Sequence, residues 1–275
     1  MKTNFMRLFF VVGILAMAYS CRPTEIGTMR TETRRFEQKY FLTEDKTKGV
    51  LTVSMQVELP VKFHNANILE NVRNQIIEAV FGFNYVQFSN RELLPRFATG
   101  LSEEYKNNNL PFFTREMSEE IGYAFNNDFL LETFVMLSDE RIFSYGIDLY
   151  VYMGGAHGLS TRIFLNFDLR NGDLIFEENL FFGDYEAVLT EIMKQKIIAQ
   201  NLEINSIEDL EEIFWIENIR PNGNFYLTDE ALNYVFNPYE IAPFVFGDTE
   251  ISISFDEIRE ILKRESPIKH LIKNP

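Results

Sequence analysis

One cysteine, one tryptophan and three histidines are all that 275 residues contain of those types, and 26 lysines and arginines face 41 aspartates and glutamates. A single cysteine excludes a disulfide scaffold. His64, His157 and His270 stand far apart, and none falls in a His-x-x-x-His or Glu-x-x-His frame. A zinc site needs three or four closely placed ligands, so no metal and no other cofactor is expected. Gly-x-Ser-x-Gly, Gly-x-x-x-x-Gly-Lys and Gly-x-Gly-x-x-Gly are also missing, which removes the commonest nucleophile, phosphate and dinucleotide signatures. The net charge of −15 repels phosphate backbones, and nucleic acid is therefore not an expected partner.

The apolar run at the amino terminus, Leu8 to Ala18, is too short to span a bilayer, which takes roughly 20 apolar residues. Lys2 and Arg7 precede it and small residues follow, the layout of a signal peptide over residues 1–20. Ala18-Tyr19-Ser20-Cys21 resembles a bacterial lipobox, with bulky Tyr19 in place of the usual occupant. The lone cysteine thus falls where a lipid would be attached. Cys21 is expected to hold the protein to a bacterial membrane, on the periplasmic or cell-surface face. Loss of Lys2 and Arg7 with the leader makes the mature chain two units more negative than −15. Such acidity attracts a basic partner or simply keeps an envelope protein in solution.

Residues 21–34 are polar and aperiodic and read as a tether. Beyond them, 27 phenylalanines and 12 tyrosines favour sheet packing. Phe36 to Leu42 and Val50 to Val61 read as strands, with Pro60 ending the second or placing it at an edge. Leu69, Val72, Ile76, Val80 and Phe83 take up helical spacing, with Asn67 and Glu70 as a capping box. Ser89 and Glu92 open a second helix running to about Asn107, followed by an Asn- and Pro-containing link. Phe129–Leu137 and the alternation from Phe143 to Met153 form a hairpin. Arg162–Leu169 and Leu174–Phe176 form another, turned by Asn171-Gly172. Helices are expected over Asp184–Asn201 and Ser206–Phe214, then a strand over Glu250–Ser254 and a helix opened by Ser254 with Glu257. The expectation is an α+β fold of antiparallel sheets with helices packed on one side, in two adjoining subdomains over residues 35–150 and 151–275.

Three glycines surround a histidine in Tyr152-Met153-Gly154-Gly155-Ala156-His157-Gly158, at the end of the clearest strand. Glycines gather where the backbone takes positive φ or comes close to another group. His157 is either a ligand-binding residue presented on this bend or a satisfied structural histidine. Tyr152, Gly154, Gly155, His157, Tyr239 and Glu240 are the candidate binding or structural motif; no catalytic residue is assigned.

The order Tyr-x-Gly-Gly-Ala-His at 152–157, Asn166-Phe167-Asp168, the Asn-Gly turn and Glu178-Asn179-Leu180-Phe181 resembles a bacterial extracytoplasmic family. Phe225 to Leu232, Phe236 to Pro243 and Gly247 extend the match. The family is that of RsiV-type ectodomains, found in lysozyme-receptor anti-sigma factors, and of PdaC-type amino-terminal regions of peptidoglycan deacetylases. The likeness covers about residues 35–265. It implies a PdaC-type amino-terminal domain and an RsiV-like carboxy-terminal domain. Seven residues precede the apolar run, so no sigma-factor-binding domain is expected. The chain stops at Pro275, soon after the last helix, so no deacetylase domain is expected either. The resemblance therefore implies a binding module facing the envelope, with a muramidase such as lysozyme or peptidoglycan as ligand; together with the leader and Cys21 the expectation is a lipid-anchored envelope binding protein, not an enzyme. The alternatives are a structural or assembly lipoprotein and, third, an envelope-glycan hydrolase, which would need two carboxyls about 5 to 10 Å apart in a cleft.

Overall fold

The computed structural model describes residues 27–44, 46–200 and 204–272. The expected leader and Cys21 lie outside the described residues. Nine strands and seven helices are present among the described residues. The strands are β1 (Arg30–Phe41), β2 (Val50–Lys62), β3 (Asn127–Ser138), β4 (Ile142–Tyr152), β5 (Leu159–Asp168), β6 (Asp173–Leu174), β7 (Phe225–Leu227), β8 (Ala231–Phe236) and β9 (Thr249–Ser254). The helices are α1 (Ala66–Phe81), α2 (Leu93–Asn109), α3 (Arg115–Ile121), α4 (Glu177–Leu180), α5 (Tyr185–Gln200), α6 (Ile207–Ile213) and α7 (Phe255–Ile258). No helix among the described residues is long and apolar enough to cross a membrane. The α+β class is as the sequence indicates.

The first six strands form one sheet in chain order, and the last three form a second. All pairings are antiparallel except β2 with β3. That pair is parallel because α1, α2 and α3 lie between the two strands and carry the chain back to the same end of the sheet.

Alternation decides the faces. Val53, Met55, Val57 and Leu59 of β2 are essentially fully buried and pack with Val72, Ile76, Ile77 and Leu93 of α1 and α2. Each such side chain contributes about 1.5–3 kcal/mol by leaving water. The opposite face of the sheet carries Ser54 and Gln56 on β2 and Asp148 and Tyr150 on β4. A second core forms around Leu189, Met193 and Ile197 of α5 and the inward residues of β7–β9, and it takes in Ile142 from the start of β4. The expected division near residue 150 falls inside β4; the first core extends to Leu169 and β6 still belongs to the first sheet.

The β7–β9 module sits on the face of the large sheet that the helices leave free. Phe164 of β5 packs with Tyr226 and Val235, with Phe134 of β3 against them. Below that contact is a buried polar joint: Ser144 Oγ donates to Asn166 Oδ1 (2.7 Å), Asn166 Nδ2 donates to Phe225 O (2.7 Å) and Leu227 N donates to Ser144 Oγ (3.1 Å).

Several expectations need correction. Residues 30–34, expected in the tether, belong to β1, where Arg34 pairs with Glu32 and Thr31 donates to Glu58 of β2. The cap of α1 is Asn65 rather than Asn67; its Oδ1 accepts from Asn67 N and Ile68 N. Within the expected link, Thr114 caps α3 by accepting from Met117 N. Pro60 is tolerated because β3 pairs with β2 only as far as Gln56.

Candidate binding groove

The register brings five polar side chains into a single row across the sheet. Arg35 of β1 faces Gln56 of β2, Gln56 faces Glu132 of β3, Glu132 faces Asp148 of β4, and Asp148 faces Arg162 of β5. The row is partly bonded: Arg35 Nε donates to Gln56 Oε1 (2.7 Å), and Gln56 Nε2 donates to Glu132 Oε1 (2.7 Å). Glu132 and Asp148 are like charges directly opposite one another, an arrangement that costs a sheet stability. Asp148 is compensated by Arg162 Nε at 3.2 Å. The neighbouring row runs Glu37, Ser54, Leu130, Tyr150 and Ser160 on the same face.

These two rows floor a groove of about 590 Å³, walled by Asp248 from the segment between β8 and β9. Four carboxylates (Glu37, Glu132, Asp148 and Asp248) and two guanidiniums (Arg35 and Arg162) line it, so it is net negative. Arg162 Nη1 also lies 3.0 Å from Asp248 Oδ2 and 3.3 Å from Glu250 Oε2. Partial burial would lower the Arg162 pKa, but Asp248, Asp148 and Glu250 together hold it above its ordinary value. Glu250 in turn accepts from the hydroxyl of Tyr226 (2.5 Å). Burial, followed by this carboxylate, pushes that hydroxyl's pKa well up.

None of the motif residues singled out from sequence lines the groove; the bend meets it only through Gly158, which lies against Tyr150. Gly154 and Gly155 have φ of +84° and +95°, and the hydroxyl of Tyr152 donates to Gly155 O (3.0 Å). A Cβ on Gly158 would stand 2.4 Å from the ring of Tyr150, so a larger residue there requires that ring to move. His157 is exposed, with Nδ1 3.0 Å from Gly158 O and its ring stacked on Phe244 at 4.0 Å. Tyr239, at φ +73°, lies 5.5 Å from the same ring. Phe244 thus links the two halves of the motif, which lie far apart in sequence. Glu240 accepts from Asn237 Nδ2 (3.2 Å) and Asn222 Nδ2 (3.1 Å).

Asn237 explains part of this arrangement. Its Oδ1 accepts from Arg162 N (2.7 Å) and its Nδ2 donates to Arg162 O (3.1 Å). Asn224 makes the matching contacts to Phe164 N and Arg162 O (3.0 Å each). Two amide side chains thereby satisfy the outer backbone edge of β5 at Arg162 and Phe164, short of Phe167 and Asp168 where β6 pairs, and fix Arg162 over the groove.

The other two histidines are elsewhere. His64 lies against Phe63, with ring centroids 4.1 Å apart, and His270 Nε2 lies 2.8 Å from Asp139 Oδ2. No group of three His, Cys, Asp or Glu side chains with metal-binding geometry is present among the described residues.

Residues 174–256 match the family model DUF3298, described as a protein of unknown function. A crystal structure of a DUF3298 family member from Bacteroides fragilis aligns with a TM-score of 0.83 at 24% identity, covering 90% of this chain and 98% of that one. This chain has the DUF3298 fold. A DUF3298 family protein from Pseudomonas aeruginosa aligns with a TM-score of 0.55 at 15% identity, again over 90% of this chain and 98% of that one. No curated protein matches the sequence. Likeness at these identities concerns the fold alone. The DUF3298 match begins at β6 and takes in the β7–β9 module, Asn237, Tyr239 and Asp248, while most of the groove floor precedes it.

Of the floor residues, only Asp148 and Tyr150 stand out in the sequence, as polar members of an alternating strand. Arg35, Gln56, Glu132 and Arg162 become a set only through the register. The available signal was the regular appearance of charged residues on the non-core face of successive strands.

Proposed function

We propose that this is a lipid-anchored cell-envelope binding protein that presents the open face of its large sheet to a ligand bearing positive charge. The observation that carries the reading is the cross-strand row of Glu132 and Asp148 within a 590 Å³ groove whose lining carries an excess of carboxylates. Binding without turnover is the function proposed, since no catalytic set is assigned to this groove. The overall charge of −15 favours encounter with a cationic partner in the same direction.

The resemblance to RsiV-type and PdaC-type domains makes a basic muramidase such as lysozyme the first ligand to test and peptidoglycan the second. Anchoring rests on the leader and Cys21. Pull-down with lysozyme and with soluble peptidoglycan fragments tests the binding. Capture that falls for Glu132→Gln and Asp148→Asn supports the reading, and absence of capture of either ligand at micromolar concentration overturns it. Labelling with a fatty acid tests the anchor: Cys21→Ala is expected to abolish incorporation, and unchanged labelling would refute attachment at that sulfur.

A further inference from the structure

The groove reads one sign of charge at one end of its polar row and the opposite sign in the middle. Arg35 makes no ion pair among the described residues, and its guanidinium is drawn toward β2 by the bond from Nε to Gln56 Oε1. Among the described residues Glu132 accepts only from Gln56, and Asp148 faces it on the next strand. Adjacent strands lie about 4.8 Å apart, so the space between Glu132 and Asp148 is about 7 Å from β2 and about 12 Å from β1, and the Arg35 guanidinium, which reaches from β1 to Gln56, lies between those two limits. Leu130, 41% exposed, lies in the neighbouring row beside Tyr150 and offers apolar surface along the same path. Glu37, one pleat along β1 from Arg35, adds negative charge to the rim.

From this spacing we infer that the groove recognises a short peptide by its two charged ends, with the carboxylate on Arg35 and the ammonium between Glu132 and Asp148. The inference rests on the reading of the groove as a ligand site and specifies the ligand. An extended chain spans about 3.3–3.6 Å per residue, so two or three residues match the separation of the charges. The chain crosses the strands rather than adding to an edge, and a small apolar side chain rests on Leu130. A bound ammonium also relieves the repulsion between Glu132 and Asp148, which Arg162 compensates from one side only.

The test is titration of the full chain with trialanine, N-acetyl-trialanine, trialanine amide and alanine, followed by amide chemical shifts. Trialanine is expected to bind in the millimolar range and to shift the resonances of Arg35, Glu132 and Asp148. Blocking the amine or introducing Glu132→Gln should each weaken it by about tenfold or more, as loss of a charge-assisted bond does. Amidation or Arg35→Gln should act in the same direction, and alanine, too short to reach both ends, should bind at least about tenfold less well. Arg35 and Glu132 are exposed, and unchanged melting of both variants shows that the fold is kept. Equal affinity for blocked and free peptides overturns the inference. If trialanine fails while lysozyme or peptidoglycan fragments still bind in a Glu132-dependent way, the peptide inference falls and the binding function stands. If no ligand binds, both fall.

Discussion

The guanidinium of Arg162 joins the two sheets: its Nε lies 3.2 Å from Asp148 on β4, while its Nη1 lies 3.0 Å from Asp248, just before β9. With Glu250 at 3.3 Å, three carboxylates surround one cation whose side chain is 25% exposed. Arg162→Gln should therefore lower stability by about 1–2 kcal/mol, since bonds to charged groups contribute about 1.5–3 and exposure reduces this. Urea unfolding checks it. Added salt should narrow the gap from wild type, because screening relieves the three acids left behind.

Asn166→Ala should cost more, about 2–3 kcal/mol, because it strands both the Ser144 hydroxyl and the Phe225 carbonyl at the joint between the sheets. All three residues are buried, so water does not replace the lost partner. Chemical denaturation followed by both the Trp215 signal and far-ultraviolet dichroism would detect separate melting of the β7–β9 module if the joint is what couples it.

Glu177 gives a pH dependence of defined sign. Its carboxyl is buried and accepts from Gly223 N (2.8 Å). Burial is the main cause that raises its pKa, with the charge of Glu178 acting in the same direction. A carboxyl whose folded pKa lies above its unfolded value stabilises most below the unfolded value, and that contribution is lost as pH rises through the folded one. Glu177→Gln keeps an acceptor for Gly223 and does not ionise. Its melting temperature should equal or exceed that of wild type at pH 7, with the difference disappearing near pH 4.

Asp139 should behave in the opposite way. Although burial works to raise its pKa, bonds from Arg141 N, His270 and Ile142 N outweigh it and leave the pKa lowered. The folded pKa is below the unfolded one, so its contribution is present above the unfolded value and lost as pH falls through the folded value. Asp139→Asn should destabilise by about 1–2 kcal/mol at pH 7 and progressively less in acid. A melting-temperature gap that persists unchanged at pH 3 would contradict this.

Neighbouring glycines separate two kinds of cost. Gly154 and Gly155 both have positive φ, but a Cβ on Gly154 would meet Ala124 O at 2.6 Å, whereas one on Gly155 meets nothing within 4 Å. Gly155→Ala should cost about 1 kcal/mol of backbone strain and Gly154→Ala clearly more, about 2–3. Equal effects would show that the contact with Ala124 yields easily.

Period and capping were enough to reveal most elements. Val53, Met55 and Val57 mark β2 as half-buried, Val72 and Ile76 mark α1 as amphipathic, and Ser254 with Glu257 forms the capping box expected of it. These are local properties, set by side-chain spacing along one segment. The parallel pairing of β2 with β3, the incorporation of Arg30 into β1 and the row from Arg35 to Arg162 were decided only by the tertiary structure. Each depends on which residue faces which across strands as much as 76 positions apart in sequence, as Gln56 and Glu132 are. A shift of one residue in any pairing would turn a member of that row toward the helices. The sequence therefore determined which side chains could be polar and outward, and the register determined that they converge.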